Sequence, residues 1–381
     1  MKNDKTMQDK IVLFAFRKSQ KNFFRKIMAV CKTAETHIIT SKFSWRISFK
    51  SLSHLKHMDT RKARLFAIDE FYAKNSVQIP KVCLQVYFNF FAIVNFLRYY
   101  TALDAKYNKM LIWNGGKFRQ LIALDVAQLL DIQVYYFENG LLPNTIVFDT
   151  QGINYNNSVP RDKRFYQTYR FTTKLPKHIV PRIGKNREVF IGEKETLPEK
   201  YIFVPFQVDA DTQIISYSPW IKNMRALFEI IEYVSKECEY HFILKEHPSS
   251  GVEYPDLHKK AKKSPNISFR NTYATQELIE NSIAVMTINS TVGIESLLFY
   301  KKVIVLGDAF YNIEDITYHA KNLVELRYTL EHIESSTLDN ELVDKFLSYL
   351  YVDYLVQKND EMHISFCHKM LQEDKNKEKG Q

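Results

Sequence analysis

The chain has 381 residues, of which 45% are apolar and 25% charged. This is the composition of a globular protein and excludes a disordered chain. At roughly 150 residues per domain, the length suggests two or three domains. Ten Gly and eleven Pro exclude a collagen-like or low-complexity protein.

Positive charge is concentrated at the beginning of the chain. Residues 1–65 hold 16 Lys/Arg and 4 Asp/Glu, whereas the other 316 residues hold 37 and 39. Such an excess indicates either a solvated basic face or contact with anionic lipid or a phosphorylated substrate. The sequence has no zinc-finger or RNA-recognition motif, which argues against nucleic acid as the partner.

A short buried strand at 11–16 and a basic amphipathic helix at 18–31 are the first predicted elements. The cations on one broad side of this helix are Arg17, Lys18, Lys21, Arg25 and Lys26. We expect them either to face solvent or to hold the protein at an anionic membrane surface. The most hydrophobic stretch, 82–100, is long enough to span a bilayer, but polar residues interrupt it, which favours a buried helix.

The four cysteines are far apart and form no C-x-x-C pair; they are Cys31, Cys83, Cys238 and Cys367. This spacing argues against a zinc site or a disulfide framework and is typical of a reducing cytosol. The first residues show no secretory signal peptide. We therefore expect a cytoplasmic protein with peripheral contact to the inner membrane.

Strands and helices alternate along the sequence, which predicts an α/β fold with open parallel sheets. A first series of strands is predicted at 11–16, 36–39, 109–113 and 133–137. The region 141–200 is polar and reads as loop, and a second series of strands follows at 201–207, 240–245, 267–270, 283–287 and 303–306. Residues 337–371 are predicted to be helical, with a charged tail after them.

This pattern predicts two Rossmann-like lobes. The predicted divisions are an N-terminal lobe at 1–175, a C-terminal lobe at 176–340, and C-terminal helices with the tail at 341–381. Ligands of open α/β sheets bind in the crevice outside the carboxyl ends of the strands. Four polar clusters occur at such ends: Glu138-Asn139-Gly140, Gln207 with Asp209 and Asp211, Lys245 with His247-Pro248, and Asn289-Ser290-Thr291.

The carboxylates of these clusters have catalytic and structural interpretations. Glu138 at a strand end serves as a general acid or base, or caps the following loop. Asp209 and Asp211 are two residues apart in a predicted turn. Such a pair has three interpretations: it caps a helix, binds a metal or supplies a nucleophile.

The other two clusters are suited to a phosphate. His247, held extended before Pro248, donates either to a phosphate or to a backbone partner in the protein. Ser290 and Thr291 precede a predicted helix, where they act as a cap, as an anion site, or as both. P-loop, dinucleotide-binding and serine-hydrolase motifs are absent, which argues against kinases, dehydrogenases and serine hydrolases.

Several motifs agree with one family in order and spacing. They are Glu138-Asn-Gly-Leu-Leu-Pro143-Asn144-Thr145, Asp149-x-Gln-Gly152-x-Asn154, Ser158-x-Pro160-Arg161, Gln207-Val-x-x-Asp211, His247-Pro248 and Asn289-Ser290-Thr291. Together they resemble the capsule polysaccharide biosynthesis family, and more narrowly the retaining bacterial β-Kdo glycosyltransferases of capsule and O-antigen (lipopolysaccharide) assembly. The resemblance covers about residues 109–300.

The resemblance implies a GT-B-type fold, with the acceptor in the N-terminal lobe and CMP-β-Kdo as the donor in the C-terminal lobe. It implies no metal and no cofactor apart from the donor. Asp211 is the implied nucleophile, with Asp209 as its rival, and Glu138 is the second catalytic carboxylate. The implied donor-binding residues are Gln207, Lys245, His247, Pro248, Asn289, Ser290 and Thr291. Those for the acceptor or for Kdo are Asn139, Gly140, Asn144 and Arg161.

The function implied is transfer of Kdo to a glycan or lipid-linked acceptor with retention, by double displacement at an aspartate. Because Kdo carries a carboxylate at the reacting carbon, cations are expected in the site, with Arg161 and Lys245 as candidates. Two alternatives stay open: a sialyltransferase-like enzyme that uses another CMP-sugar, and a non-catalytic partner in capsule assembly or export.

Overall fold

The structure, a computed structural model, describes residues 10–31, 35–39, 46–75, 77–104, 106–170, 173–176, 178 and 195–379. Side chains are described for these residues except 35–37 and 371–379. The chain forms two α/β lobes, each built around a six-stranded sheet.

The first lobe contains short, continuous apolar runs, the pattern of strands buried on both faces. Its strands in chain order are β1 (Lys10–Phe14), β2 (Glu35–Ile39), β3 (Lys109–Trp113), β4 (Gln133–Asn139) and β5 (Thr145–Asp149). Its helices are α1 (Lys18–Val30), α2 (Phe49–Ser53), α3 (Arg61–Lys74), α4 (Lys81–Leu103), α5 (Phe118–Leu129) and α6 (Lys163–Thr168). The four strands predicted for this lobe are confirmed as β1 to β4.

The second lobe repeats the alternation. Its strands are β6 (Tyr201–Pro205), β7 (His241–Lys245), β8 (Ile267–Phe269), β9 (Ala284–Thr287), β10 (Lys302–Val305) and β11 (Tyr318–His319). Its helices are α7 (Thr212–Tyr217), α8 (Met224–Val234), α9 (Pro255–Ala261), α10 (Thr275–Glu280), α11 (Val292–Leu297) and α12 (Leu323–His332). All neighbouring strands run parallel, in the order β11-β10-β9-β6-β7-β8.

The C-terminal segment returns to the first lobe. It consists of α13 (Asn340–Tyr349), a π-helical turn (Leu350–Tyr354), β12 (Leu355–Gln357) and α14 (Met362–Lys379). Strand β12 pairs antiparallel with β5, which gives the first sheet the order β12-β5-β4-β3-β1-β2. The prediction of continuous helix at 337–371 is therefore wrong at β12, because a three-residue edge strand leaves no periodic signal in the sequence.

Strands β4 and β5 form an antiparallel hairpin within the region predicted as loop. The Gly140 N–H donates to the Thr145 carbonyl oxygen at 2.9 Å. A Cβ atom at Gly140 would fall 1.8 Å from the Thr145 hydroxyl oxygen, so the turn requires glycine here. Asn144 in the same turn has a left-handed backbone with φ of 55°. This hairpin corrects the expectation that the first sheet is purely parallel.

Helix α4 is buried mainly over its second half, and Leu84 is the buried residue of its first turns. From Ala92 onward it packs in the core of the first lobe, where Phe96, Tyr99 and Tyr100 are at most 2% exposed. Several apolar side chains of its first half face solvent instead. The expected buried helix is therefore confirmed from Ala92 to the end of α4 and is wrong before it.

Helix α1 packs against α14 through the aromatic side chains of Phe23, Phe24 and Phe366. A disulfide joins Cys31, just after α1, to Cys367 in α14. This corrects the expectation that the cysteines do not pair. The two residues are 336 positions apart, so no spacing motif reveals them. Of the five basic residues at α1, Lys21 is half-buried and Arg17, Lys18, Arg25 and Lys26 are exposed.

The Asp149 carboxylate at the end of β5 connects three segments of the first lobe. It is 2% exposed and accepts hydrogen bonds from the N–H groups of Gln151 and Gly152 at 2.7 and 3.0 Å. It also accepts from the N–H and hydroxyl of Ser158, both at 2.8 Å. The fifth donor is the Tyr354 hydroxyl of the C-terminal segment, at 2.9 Å.

We expect Asp149→Asn to lower the free energy of unfolding by about 2–4 kcal/mol, because its amide NH₂ would face buried N–H and O–H donors. Urea denaturation followed by circular dichroism measures this change. Ser158→Ala is the matched control, since it removes one hydroxyl and keeps the carboxylate, and its expected loss is about 1 kcal/mol. Equal losses in the two variants would contradict the central role of the carboxylate.

Candidate active site

In each sheet the strand order reverses at one point, between β1 and β3 and between β6 and β9. A buried amide pair bridges the second of these points. Gln207, just after β6, donates from Nε2 to Oδ1 of Asn289, just after β9, at 3.0 Å. Its Oε1 accepts from the Asn289 N–H at 3.2 Å. Both residues are under 8% exposed, so they join the carboxyl ends of two strands beside the crevice.

The same amide pair holds helix α7. Asn289 donates from Nδ2 to the carbonyl oxygens of Gln213 and Tyr217 at 3.0 and 2.9 Å. Gln213 in turn donates to the Asn289 carbonyl oxygen at 3.1 Å. Because these are buried hydrogen bonds, Gln207 and Asn289 position helix α7. Their expected contacts with the sugar donor stay a prediction.

The two candidate nucleophiles have different surroundings. Asp209 is 7% exposed and accepts from the Met224 N–H at 2.7 Å and the Tyr254 hydroxyl at 3.2 Å. Burial raises the pKa of Asp209, and these hydrogen bonds oppose the rise. Asp211 is exposed and caps α7, where one oxygen accepts from the Gln213 N–H at 2.9 Å. Asp211 is thus the more accessible carboxylate.

Glu138 is half-buried at the end of β4. Its Oε1 accepts from the Asn139 N–H at 2.8 Å and from the Trp113 indole at 3.3 Å. Its Oε2 accepts from Nδ2 of Asn114 at 2.8 Å. Burial raises the pKa of Glu138, the hydrogen bonds oppose the rise, and the negative charge of Asp211 raises it further. The two predicted catalytic carboxylates, one from each lobe, are therefore close enough for the charge of Asp211 to act on the pKa of Glu138.

The turn after β3 touches the start of α7. A Cβ atom at Gly116 would lie 2.6 Å from the Thr212 side chain, so glycine allows this close approach. Lys117 donates from Nζ to the Ala210 carbonyl oxygen at 3.3 Å and to Glu70 at 2.9 Å. Thr212 is 4% exposed, and its hydroxyl has no hydrogen-bond partner among the described residues. A polar ligand that reached this point would satisfy it.

A cleft of about 680 Å³ opens beside this contact. Its walls come from the turn after β3, helix α5 and strand β4 with the turn between them, the loop after β5 and helix α7; they include Asn114, Gly116, Asp125, Tyr136, Gln151, Asn156, Thr212 and Tyr217. Asn156 donates to the Tyr217 hydroxyl at 2.9 Å, which closes one side of the cleft. The size and the polar lining suit a sugar-sized ligand.

His247 follows β7, the strand beside β6. Its Nδ1 accepts from the Ser249 N–H at 3.1 Å, which assigns the proton of the neutral ring to Nε2. Lys245 is engaged with the protein: Nζ donates to the carbonyl oxygens of Asn271 and Tyr273 at 2.7 and 2.6 Å. Burial lowers the pKa of Lys245 to about 8. Pro248 is half-buried beside His247.

Ser290 and Thr291 lie at the start of α11, directly after Asn289. The Ser290 hydroxyl accepts from the Val292 N–H at 3.2 Å, which is a local cap. A Cβ atom at Gly293 would fall within 2.9 Å of the Tyr311 ring, so glycine lets α11 pack on Tyr311. The capping interpretation is confirmed for Ser290. The anion-binding interpretation stays a prediction.

The residues predicted for the acceptor or for Kdo lie outside the walls of the cleft. Asn139, Gly140 and Asn144 belong to the β4–β5 hairpin. Arg161 donates to the carbonyl oxygens of Val159 and, at 2.8 Å, Tyr155, and to the Asn157 side chain at 2.9 Å. Its guanidinium thus holds the loop after β5.

Sequence reasoning missed the residues that frame the two carboxylates. Trp113, Asn114 and Lys117 surround the glycine turn after β3, which the sequence marked only as a turn. Asn114 has a left-handed backbone with φ of 73°. A polar residue that can adopt this conformation before two glycines was the available signal. No such signal marks Thr212 and Tyr217, because helix α7 is too short to show a periodic pattern in the sequence.

We expect Asp211→Asn to lower the pKa of Glu138, because removal of a neighbouring negative charge makes ionisation of the second carboxyl less unfavourable. The measurement is ¹³C NMR titration of protein labelled at the glutamate side-chain carboxyl, with the signal assigned by Glu138→Gln. Asp209→Asn is the control and should leave the Glu138 titration in place. Identical Glu138 titrations in wild type and Asp211→Asn would contradict the proximity of the two groups.

The fold is similar to that of a solved glycosyltransferase. The structure of the Thermosulfurimonas dismutans KpsC β-Kdo 2,7 transferase matches with a TM-score of 0.50 and 14% identity, over 96% of this chain and 100% of that one. The expected fold of two α/β lobes in the GT-B-type arrangement is thereby confirmed.

Sequence comparison gives the family. FixF of Sinorhizobium fredii is 34% identical over 254 residues, which are 65% of this chain and 60% of FixF. The Escherichia coli capsule polysaccharide export protein KpsS is 24% identical over 258 residues, which are 50% of this chain and 65% of KpsS. The chain thus spans less than two thirds of either relative. The model of the capsule polysaccharide biosynthesis protein family matches residues 109–190 and 188–357, and the chain belongs to that family.

Proposed function

We propose that this chain is a retaining β-Kdo transferase that moves Kdo from CMP-β-Kdo to a glycan or lipid-linked acceptor. The observation that carries the proposal is the contact of Gly116 with Thr212 between the lobes. Asn114, which donates to Glu138, and Thr212, which follows Asp211, both line the polar cleft there. Membership of the capsule family and the GT-B-type fold support a sugar as substrate.

In the first step an oxygen of Asp211 attacks the anomeric carbon of Kdo, and the bond from this carbon to the phosphate of CMP breaks. Asp211 suits this step because it is exposed and its described hydrogen bond occupies one oxygen only. Asp209 suits it less well, since both of its oxygens accept hydrogen bonds inside the second lobe. CMP leaves, and a glycosyl ester remains on Asp211.

In the second step an acceptor hydroxyl attacks the same carbon from the opposite side and displaces Asp211. Glu138 takes the proton of this hydroxyl. Its raised pKa makes it a stronger base than an ordinary carboxylate, and the bonds from Asn114, Asn139 and Trp113 hold its orientation. Two inversions give net retention.

The carboxylate of Kdo needs a cation, and in this proposal Lys117 replaces the two expected ones. Arg161 donates to backbone carbonyl oxygens of its own loop, and Lys245 donates to those of Asn271 and Tyr273 after β8. Lys117 is also engaged, with Glu70 and with the Ala210 carbonyl oxygen at 3.3 Å, and its position next to Asp211 is what favours it. His247 and the turn at Ser290 would meet the phosphate of CMP, and the reaction needs no metal ion.

A non-catalytic role in capsule export is the second candidate, because one relative is named as an export protein. Another CMP-sugar as the donor is the third. Mass spectrometry of products from CMP-β-Kdo and from CMP-sialic acid, each with a panel of Kdo-terminated and lipid-linked acceptors, separates the three. A Kdo adduct supports the proposal, a sialic acid adduct alone replaces the donor, and absence of any adduct favours the export role.

We expect Asp211→Asn to lower kcat by at least about a thousandfold with an unchanged melting temperature, because the amide is a far poorer nucleophile on an exposed cap. Asp209→Asn is the control: it should lower the melting temperature, since two buried donors lose their acceptor charge, and keep activity in the folded fraction. Loss of turnover with Asp209→Asn alone would transfer the nucleophile role to Asp209.

We expect His247→Ala to weaken CMP binding about 10- to 150-fold, since a hydrogen bond to a charged phosphate contributes roughly 1.5–3 kcal/mol. Isothermal titration calorimetry with CMP measures this. His332→Ala, at the exposed end of α12, is the control and should bind CMP normally. Unchanged CMP affinity together with a large drop in melting temperature would assign His247 to the core instead.

A further inference from the structure

Exposed apolar side chains are concentrated at one corner of the first lobe. Among the described residues, 19 large hydrophobic side chains are exposed, and six of these lie between residues 72 and 90. They are Tyr72 (39%), Val77 (61%), Val82 (68%), Val86 (67%), Tyr87 (54%) and Phe90 (61%). These residues occupy the end of the antiparallel pair of helices α3 and α4, which we name the hairpin tip. Such a cluster on a soluble surface marks an interaction site.

On α4 the exposed apolar residues form a broad band. At 3.6 residues per turn, Val82, Val86, Tyr87 and Phe90 fall within an arc of about 140°. Leu84 and Ala92, which face the protein, are at most 4% exposed. No charged residue occurs from Val82 to Leu97. A band this wide is broader than the single seam that one partner helix covers.

The hairpin tip is too short to cross a bilayer. Among the described residues, α4 is the one helix long and apolar enough to be a candidate span. Its second half is locked in the core through Phe96, Tyr99 and Tyr100, which leaves the first 11 residues, or about 16 Å of helix, against roughly 30 Å of hydrocarbon. The exposed part therefore fits a surface into which it enters shallowly.

Cations surround the hairpin tip. Lys74 is the last residue of α3 and Lys81 the first residue of α4, and both are exposed. A groove beside the tip is lined by Phe71 and Phe88 together with Lys74, Lys117 and Arg119. The carboxylate among its lining residues, Glu70, already binds Lys74 and Lys117.

The basic start of α1 borders the same groove. Phe16 lines it, and Arg17 and Lys18, which follow directly, are exposed. An apolar tip with a cationic border is complementary to a layer of anionic headgroups above hydrocarbon.

We propose that the hairpin tip inserts into the interface of a bilayer that contains anionic phospholipid. Val82, Val86 and Phe90 enter the acyl boundary, and Tyr72 and Tyr87 lie at the headgroup level, where tyrosine is favoured. Lys81, Arg119 and the start of α1 meet the lipid phosphates. The inference is independent of the proposed sugar transfer, since it rests on surface residues alone.

Vesicle flotation tests the insertion. The full chain is mixed with vesicles of phosphatidylcholine, or of phosphatidylcholine and phosphatidylglycerol in equal parts, at low and physiological salt. We expect binding to the mixed vesicles. The variant Val86→Ser with Phe90→Ser should lose at least about tenfold in partition coefficient, because two buried apolar side chains are removed.

The matched control changes two exposed apolar residues of the second lobe, Val324→Ser with Tyr328→Ser, which are 74% and 64% exposed in wild type. This control should float like wild type. Equal flotation of wild type and the α4 variant, or no wild-type binding to mixed vesicles at low salt, would overturn the proposal. Sedimentation velocity without lipid gives a further outcome: a wild-type dimer that the α4 variant abolishes would assign the tip to self-association.

A second experiment measures how deeply the hairpin tip enters the bilayer. Tyr87→Trp places a fluorophore at the tip, and Tyr328→Trp is its control on α12. With mixed vesicles that carry brominated acyl chains, we expect quenching and a blue shift for Tyr87→Trp beyond the wild-type signal, and no change for Tyr328→Trp. Equal quenching at the two positions, or none at Tyr87→Trp while the protein floats, would exclude insertion of the tip.

Discussion

The buried amide pair of Gln207 and Asn289 is the constraint on which the geometry of the candidate site depends. Its hydrogen bonds join the ends of β6 and β9 and attach α7 to them, so the position of Asp211 follows from the strand ends. A six-residue helix has little stability of its own. Because the amides are under 8% exposed, their hydrogen bonds do not compete with water, and the exposed carboxylate of Asp211 is presented from a rigid base.

A second constraint holds the opposite wall of the cleft. The Asp149 carboxylate accepts hydrogen bonds from Gly152 and Ser158 in the loop after β5. It also accepts one from the Tyr354 hydroxyl, which belongs to the C-terminal segment. That segment also adds β12 to the edge of the first sheet and forms the disulfide of Cys31 with Cys367. The first lobe is therefore completed by the end of the chain, and its cleft wall depends on residues that follow the whole second lobe.

Apolar strand runs and the polar residues at their ends were sufficient to predict the two sheets and the residues Glu138, Asp211 and His247 as candidates. The sequence could not reveal which polar side chains are available to a ligand and which form hydrogen bonds within the protein. Arg161 and Lys245 look like free cations in the sequence, but each donates to backbone carbonyl oxygens that only the folded loops bring near. Strands β5 and β12 were missed because each forms by pairing with a neighbouring strand, and neither has a periodic pattern in the sequence.

The contacts of Lys117 link the surface of the first lobe to the chemistry in the cleft. Lys117 binds Glu70 of α3 and the Ala210 carbonyl oxygen, next to Asp211. Helix α3 belongs to the same helix pair as the hairpin tip, and it also contacts α7. A surface at which the tip docks would thus lie on the side of the molecule where α3 meets α7. In the proposed sugar transfer, an acceptor held in that surface would approach the cleft from the side of the first lobe, and the nucleotide sugar would reach it from the second lobe.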